Sequence, residues 1–294
     1  MKLGLAVHPG KERALTIARD VLDALDGRCE VTLAEPLPGE TGLRGPREPL
    51  ESLRADAIVA IGGDGTFLRV LRGNDAPLLA LNAGTVGVLS EVDARDPSAL
   101  QGALDRLVRG EYFIEECMKL GVRVGATTVR DAANELVLHG PRAARMGHFE
   151  ISVDGRPLGR IWADGIILAT PIGSTAYALS ASGPVVEPGV EGIVLVAIAP
   201  FRAASRAVVL DPLRIASVRS LASGIPAVAV VDGQEEIPLQ PEESVTVYRS
   251  PRRSRFVRLG VAPGLSRLRG KGILPWSDPD GPTEGSGGGS DVPP

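Results

Sequence analysis

The sequence predicts an α/β fold followed by an all-β fold. In the first third of the 294 residues, short apolar runs alternate with helical patterns; short β-rich runs follow, and the length suffices for two domains. Alternating strands and helices indicate a parallel sheet covered by helices. We therefore expect a Rossmann-like parallel α/β domain over residues 1–114 and a β-rich, sandwich-like domain over residues 115–250.

Hydrophobic spacing predicts the elements of the first domain. Buried strands are expected at LGLAV, CEVTLA, AIVAI and PLLALN, which begin at Leu3, Cys29, Ala57 and Pro77. Helices are expected where apolar residues recur every three or four positions, at about residues 15–25, 66–72 and 97–109. The Pro- and Gly-rich stretch from Glu35 to Pro49 predicts a loop.

The pattern changes after Glu111 to short β runs separated by Gly, Pro and Asp. The sequence DGRP, from Asp154 to Pro157, stands between two such runs and predicts a hairpin. Strand and helix signals return in residues 251–276, which we expect to pack back on the first domain. The acidic, Gly-rich residues 277–294 are expected to form a disordered tail.

Charge and composition limit the classes of partner. The net charge is −4, and the predicted tail carries four acidic residues and no basic one, so the remainder has 32 residues of each sign. Aromatic residues make up only 3%, and the absence of a basic surplus argues against nucleic acid. The longest apolar run, Ile193 to Ala199, is far below the roughly 20 residues that span a bilayer. We expect no membrane partner and, without a signal-peptide pattern, a cytoplasmic location.

The stretch AIVAIGGDGTFLRVLR, from Ala57 to Arg72, predicts a strand, a glycine turn and a helix. Glycines at 62, 63 and 65 let the backbone approach a ligand closely, and the helix N-terminus offers N–H groups to phosphate oxygens. A carboxylate in such a cradle needs a cation or a transferable proton, so Asp64 is expected to contact a metal or to act as a base. The alternative is an ordinary Asp turn at a helix start.

A second stretch, DGIILATPIGSTAYALSASGP from Asp164 to Pro184, is rich in small and hydroxyl-bearing residues. Such residues permit close backbone approach and neutral hydrogen bonds, as a dinucleotide site requires, although a tightly packed small-residue helix would have the same composition. Ser174 lacks the GxSxG context, and the three histidines have no triad spacing, which disfavours a hydrolase. Arg69 and Arg72, three apart, either steer phosphates or lie on a solvent-exposed helix face.

These motifs resemble those of a known family. GGDGT resembles the signature shared by NAD kinases, diacylglycerol and sphingosine kinases and, less closely, phosphofructokinases. The stretch that begins at Asp164 resembles the more specific NAD kinase signature, and NAGTVGVLSE, NE, DGQ and KGILPW occur in the order that this family shows. Over about residues 1–276 the chain is similar to bacterial-type NAD kinases, which depend on ATP or polyphosphate.

The resemblance implies transfer of the terminal phosphoryl group of ATP, or polyphosphate, to the 2′-hydroxyl of the adenosine ribose of NAD. It implies Mg²⁺ bound with the nucleotide phosphates rather than at a site made of protein alone, and a homodimer or homotetramer. Asp64 would be the catalytic base, and Asn134 and Glu135 would hold the ribose hydroxyls. The phosphate loop would comprise Gly62, Gly63, Gly65, Thr66 and Arg69. The other contacts to NAD would come from Asp164, Thr175, Ala176, Tyr177 and Ser180. Two further candidate site residues are Asn82 and Gln234.

Two departures from the family pattern affect the expected pocket. Where the family usually has LGF, this chain has VGV with Val88, and where PHSLSxRP is common it has PFRAASRA with Phe201 in place of histidine. We expect a changed adenine pocket and one lost hydrogen bond. Two rival hypotheses remain: a lipid kinase of the diacylglycerol type, which would share only GGDGT, and a non-catalytic NAD(P)-binding sensor, which would bind without turnover.

Overall fold

The structure is a computed structural model of the chain. It describes residues 1–8, 10–37, 41–84, 87–140, 146–201, 205–221, 227–240, 242–260 and 264–274. The predicted tail, residues 277–294, lies outside the described residues, as do residues 275 and 276 of the predicted segment 251–276.

The described elements comprise strands, helices and one 3₁₀ turn. In the N-terminal part they are β1 (Lys2–Val7), α1 (Glu12–Leu25), β2 (Glu30–Glu35), β3 (Arg47–Pro49), β4 (Ala57–Gly62), α2 (Asp64–Gly73), β5 (Leu78–Asn82), β6 (Val92–Asp93) and α3 (Pro97–Arg109). Next come β7 (Phe113–Val124), β8 (Thr127–Thr128), β9 (Glu135–His139), β10 (Gly147–Val153), β11 (Arg156–Ala163), β12 (Gly165–Ala169), the 3₁₀ turn (Gly173–Thr175) and α4 (Tyr177–Ser180). The last are β13 (Ile193–Ile198), β14 (Val208–Leu210), β15 (Ala216–Ser220), β16 (Val228–Val231), β17 (Glu235–Pro238), β18 (Ser244–Arg258) and α5 (Gly264–Gly270).

The N-terminal strands form a parallel layer in the order β3-β2-β1-β4-β5, with β6 beside β5. Alternate residues of each strand face opposite sides. Leu3, Leu5 and Val7 of β1 pack with the apolar faces of α1 and α3, whereas Ala6 belongs to the core under α2. The helices therefore cover both faces of the sheet, as the alternating pattern predicts.

The long strand β18 continues this layer into the β-rich part. Near its end it pairs in parallel with β5, through Phe256 and Leu78. Its first residues pair antiparallel with β15, and β7 pairs antiparallel with it over most of its length. The result is one twelve-stranded sheet whose main path continues through β15, β10 and β11. The boundary predicted at residue 250 falls inside β18, and the division into domains stays a prediction.

A second sheet packs on this antiparallel region. Its six strands follow the order β14-β13-β12-β9-β16-β17, and all pairs are antiparallel. Leu136 and Ile166 from this sheet share one core with Phe149 and Val247 from the larger sheet. Its other face is covered in part by α4, through Ala178. The predicted combination of a parallel α/β layer with a β-sandwich is confirmed.

Most predicted elements are observed, with one correction. The hairpin at Asp154 joins β10 to β11, and both Asp154 and Gly155 have positive φ, 51° and 74°, as a two-residue hairpin turn requires. The expectation of a continuous loop from Glu35 to Pro49 is wrong at its end, because β3 adds to the edge of the sheet beside β2. Three residues are too few to show the alternation of apolar and polar residues that identifies a strand. The strand forms because the edge of β2 offers unpaired backbone N–H and C=O groups. None of the described helices has the length and apolar character needed to span a bilayer.

Candidate active site

The glycine loop lies at the carboxyl end of the parallel layer. β4 ends at Gly62 and α2 begins at Asp64, beside the end of β1 at Val7. The helix after β1 covers one face of the sheet and the helix after β4 covers the other. Strands whose connections leave toward opposite faces open a crevice at their carboxyl ends, where α/β proteins bind ligands. The loop therefore lies at an edge of the sheet where α/β proteins commonly bind ligands.

The glycines of this loop have different steric environments. A Cβ atom at Gly62 would lie 2.4 Å from the Oγ1 atom of Thr66, which leaves no room for a side chain. At Gly63 and Gly65 no atom comes within 4 Å of such a Cβ, so the loop is open there. The Arg69 guanidinium donates to the carbonyl of Val7 at 3.2 Å, and burial lowers its pKa. Arg69 therefore fastens α2 to β1.

Asp64 is half-buried and is held by backbone groups. Its Oδ2 atom accepts from Val88 N at 3.0 Å and its Oδ1 atom from Leu89 N at 3.3 Å. A Cβ at Gly87 would lie only 2.2 Å from Oδ1, so the turn that follows β5 closes directly on the carboxylate. A carboxylate has about four acceptor positions, so Asp64 can still accept a proton or a hydrogen bond from a ligand. Val88 contacts Asp64 through its backbone N–H, so the departure of its side chain from the family pattern does not affect this contact.

A buried carboxylate joins α2 to the second sheet. Asp232, at 5% exposure, accepts from the backbone N–H of Ala133, Asn134 and Glu135 at 2.8, 2.7 and 3.0 Å. Arg72 of α2 places its Nε atom 3.6 Å from the same carboxylate. Burial raises the pKa of Asp232, and the three N–H groups and Arg72 oppose that change. Arg72 is therefore neither a surface residue nor a phosphate ligand, because its charge is used inside the molecule.

The side chains that this carboxylate positions lack partners of their own. Asn134 and Glu135 are 6% and 7% exposed, yet Asn134 Oδ1 and Glu135 Oε2 have no hydrogen-bond partner among the described residues. Burial, followed by the charge of Asp232, raises the pKa of Glu135 to about 8. An unsatisfied buried polar group costs about 1–3 kcal/mol. A ligand with adjacent hydroxyl groups would supply the missing partners.

The small-residue stretch packs behind this pair. A Cβ at Gly173 would lie 2.1 Å from the carbonyl oxygen of Asn134, and Thr170 N donates to that oxygen at 2.8 Å. Ser174 is fully buried; its hydroxyl donates to Pro171 O at 2.6 Å and accepts from Val186 N at 2.9 Å. Ser174 is therefore structural, in agreement with the rejection of a hydrolase.

The two further candidates differ in what they contact. Gln234 donates from Nε2 to the carbonyl of Gly65 at 2.8 Å, so it links the second sheet to the glycine loop. Asn82 stands at the carboxyl end of β5, and its amide closes a turn with both backbone groups of Gly84, at 3.1 and 3.2 Å. Gln234 therefore belongs to the group around the loop, and the side chain of Asn82 is engaged in a local turn.

The remaining predicted contacts are spread along the second sheet. Thr175, Ala176 and Tyr177 follow Gly173 directly, and Tyr177 is 45% exposed, as a residue that meets a ligand would be; Ser180 is also exposed. Asp164 is exposed at the opposite end of β12, about 20 Å along the strand from Thr170. The structure therefore does not bring Asp164 to Asn134 and Glu135. Phe201, the departure from histidine, is 71% exposed.

Comparison with known proteins identifies the family. The ATP-NAD kinase N-terminal domain matches residues 3–112 and the ATP-NAD kinase C-terminal domain matches residues 133–259. The chain belongs to the NAD kinase family. It is 40% identical to the NAD kinase of Methanothermobacter thermautotrophicus, over 88% of this chain and 92% of that protein, and 41% identical to that of Methanopyrus kandleri, over 79% and 83%. The crystal structure of an NAD kinase from Archaeoglobus fulgidus in complex with ATP superposes with a TM-score of 0.73 at 30% identity, covering 92% of this chain and 98% of that one.

Three residues of this NAD kinase site were not singled out from the sequence as parts of it. In the sequence Asp232 is only part of DGQ and Gly87 only part of a longer match, and Arg72 is expected either to steer phosphates or to lie on an exposed helix face. The strand signal VAVV before Asp232 places it at a strand end, which is a usable hint. Nothing in the local sequence pairs Arg72 with Asp232, since 160 positions separate them.

Replacement of Asp232 by asparagine tests the link that this carboxylate forms between Arg72 of α2 and the backbone before β9. The amide has one acceptor atom, so at least one of the three N–H groups loses its partner, and Arg72 loses one of its two counter-charges and keeps Glu235. We expect Asp232→Asn to lower the free energy of unfolding by about 2–4 kcal/mol and to raise the KM for NAD. Urea unfolding and steady-state NADP formation measure the two effects. The exposed Glu236→Gln should stay within about 0.5 kcal/mol of wild type, and equal behaviour of the two variants would contradict this role.

Glu135→Gln tests the buried carboxyl through pH. Because the folded pKa, about 8, is above the unfolded value of 4.5, the folded protein retains a proton in this window that the unfolded chain has released. Stability therefore falls as pH rises from about 4.5 to 8. The nucleotide-free wild type should lose more stability between pH 5 and pH 9 than Glu135→Gln, by on the order of 2–4 kcal/mol. Thermal unfolding at both pH values measures this, and Glu236→Gln should follow the wild type; parallel curves for all three proteins would refute it.

Proposed function

We propose that this NAD kinase transfers the terminal phosphoryl group of ATP, or of polyphosphate, to the 2′-hydroxyl of the adenosine ribose of NAD. The observation that carries this proposal is the pair of bridges between the two halves of the site. Gln234 binds the glycine loop at Gly65, and Asp232 binds both Arg72 and the backbone that presents Glu135. A phosphate-type loop and a pair of unsatisfied polar side chains are thus held in one unit.

The unsatisfied pair accounts for the acceptor substrate. A ribose presents two adjacent hydroxyl groups, each able to donate and accept a hydrogen bond. Asn134 Oδ1 and Glu135 Oε2 are buried acceptors without partners, so a bound diol would donate to them. Orienting one hydroxyl toward the donor phosphate removes much of the entropic barrier to transfer.

Asp64 would act as the proton acceptor. The bonds from Val88 and Leu89 fix the direction of its carboxylate and leave acceptor positions free. The attacking 2′-hydroxyl must lose its proton as the new P–O bond forms, and a positioned carboxylate supplies that acceptor. Breaking of the bond to the leaving phosphate then releases ADP and NADP.

The glycine loop would receive the donor phosphates. Gly63 and Gly65 leave the backbone open, Gly62 and Thr66 shape the turn, and α2 directs its N-terminal dipole toward the bound anion. Arg69 contributes by holding α2 against β1. The ATP complex of the Archaeoglobus fulgidus NAD kinase supports ATP as a donor.

Mg²⁺ would accompany the nucleotide. Within the described ranges no three His, Cys, Asp or Glu side chains are grouped so that they could hold a metal ion. Mg²⁺ is commonly bound by one or two carboxylates, water and substrate phosphates, so the loop carboxylate of Asp64 together with phosphates fits it. When bound, the ion would neutralise phosphate charge.

The remaining contacts would hold the rest of the dinucleotide. Thr175, Ala176, Tyr177 and Ser180 continue from the segment that packs behind Asn134 and offer hydroxyl, backbone and aromatic groups. The distance of Asp164 from the ribose pair restricts it to a contact with the distal end of an extended dinucleotide. A cytoplasmic location, where NAD and ATP are both present, fits the reaction.

Asp64→Asn tests the proposed chemistry. NADP formation is measured with NAD, Mg²⁺ and either ATP or polyphosphate, and NAD binding is measured by calorimetry. We expect kcat to fall about 10²- to 10⁴-fold with NAD binding retained, because the amide cannot take the proton. The exposed Asp20→Asn should behave as wild type. A wild-type rate in Asp64→Asn would refute the role of Asp64, and a wild type that binds NAD without turnover would indicate the sensor instead.

A homodimer or homotetramer is also proposed. Trp162, at 52% exposure, and Phe201, at 71%, are large exposed apolar residues whose backbones are joined by a hydrogen bond from Phe201 N to Trp162 O of 2.9 Å. A second copy of the chain is the occupant that the family resemblance favours. Light scattering should give a dimer or tetramer mass for wild type and a smaller mass for Trp162→Glu, while Lys2→Glu should leave the mass unchanged. A monomeric wild type would refute the proposal.

A further inference from the structure

Lys271 lies beside the active site although the reaction scheme gives it no role. It follows α5 directly and is half-buried. Its ammonium group donates to the hydroxyl of Ser90 at 2.7 Å. Ser90 is 3% exposed, and its hydroxyl in turn donates to the carbonyl of Gly87 at 2.9 Å. A cation therefore terminates a hydrogen-bond chain inside the turn after β5.

That turn is the one that holds the carboxylate of Asp64. Gly87 closes against Asp64 Oδ1, and the next two backbone N–H groups, those of Val88 and Leu89, donate to its two oxygens. A shift of the Gly87 carbonyl would change the direction of these N–H groups. The bond from Lys271 through Ser90 restrains that carbonyl, and so restrains the carboxylate.

Ion pairs fix the position from which Lys271 acts. Arg267 of α5 binds both oxygens of Glu115 at 2.7 and 2.8 Å. Glu115 also binds Arg258 at 2.7 Å, and Arg258 binds Glu91 at 2.9 Å. Glu91 is the residue after Ser90, so α5 and the turn share one network. The network therefore fixes the helix that precedes Lys271 relative to the turn that contains Ser90.

The charged groups that face Lys271 are mostly acidic. Burial is the largest influence on the pKa of Lys271 and lowers it, whereas the carboxylates of Asp64, Glu91 and Asp93 favour the protonated form and Arg258 opposes them. Lys271 therefore lies among the acidic residues of the site as well as on the turn that holds Asp64.

We propose that Lys271 is a positioning residue for Asp64, because through Ser90 it holds the turn that orients the carboxylate. This inference rests on the proposed function, because it assumes that Asp64 accepts the proton. It assigns a function to the KGILPW motif that the resemblance alone did not supply.

The test compares Lys271→Met, Lys271→Arg and Ser90→Ala with wild type and with Lys2→Met, which removes a charge at a distant exposed position. For each protein, kcat, KM for NAD and for ATP and the thermal midpoint are measured. Lys271→Met should lower kcat about 10- to 100-fold while both KM values stay within about twofold.

The companion variants separate positioning from folding. Lys271→Arg keeps a charged donor and should recover most of kcat. Ser90→Ala keeps the charge but breaks the hydrogen-bond chain, so kcat should fall by about threefold to tenfold with both KM values nearly unchanged. If Lys271→Met does not fold, these two variants decide the question.

Three results would overturn the proposal. One is a Lys271→Met variant with wild-type kcat, another is a Lys271→Arg variant that recovers none of the lost kcat, and the third is an effect confined to KM, which would make Lys271 a substrate ligand. All three require an active wild type. A wild type that makes no NADP would refute the proposed function itself, so the two failures are distinguishable.

Discussion

The site depends on one buried carboxylate. Asp232 gathers three consecutive backbone N–H groups on one side and Arg72 on the other, at 5% exposure. A buried ion pair seldom adds much net stability, because desolvation of the two charges offsets their attraction. What this pair supplies is geometry. It sets the distance between the helix that begins at Asp64 and the strand that begins at Glu135, which no local interaction in either element could do.

The two halves of the site are held by different means. Backbone N–H groups of the turn after β5 orient Asp64, so the side chain of Val88 is free to differ from the family pattern without disturbing them. The half that contains Asn134 and Glu135 is held by the side chain of Asp232, and a single substitution there is therefore expected to disturb it. Gln234 closes the gap between the halves by binding Gly65. Catalysis of phosphoryl transfer relies on positioning, and these contacts provide it.

Two buried polar groups of the candidate site have no hydrogen-bond partner among the described residues, which lowers the stability of the unliganded protein. Asn134 Oδ1 and Glu135 Oε2 are buried without partners, and the pKa of Glu135 is raised to about 8 because its charge would be desolvated beside Asp232. Such groups destabilise the empty protein and are satisfied when a ligand with matching hydroxyls enters. The unliganded fold thus holds two unpartnered polar atoms where the proposed diol would bind.

The sequence by itself determined the fold class, most of the elements, the family and the position of the glycine loop, because these follow from periodicity and from motifs whose residues are close together. The helix over 97–109 and the hairpin at Asp154 are examples of such local patterns. The tertiary structure alone revealed the contacts of Arg72, Asp232 and Lys271. Arg72 has helical spacing typical of a surface arginine, and only the packing of α2 beside the end of β16 makes it a buried partner of Asp232. The strand β3 is too short to show an alternating pattern, and Lys271 and Ser90 are far apart in the chain. Local sequence patterns do not reveal such pairs, because the residues meet only when the sheets are assembled.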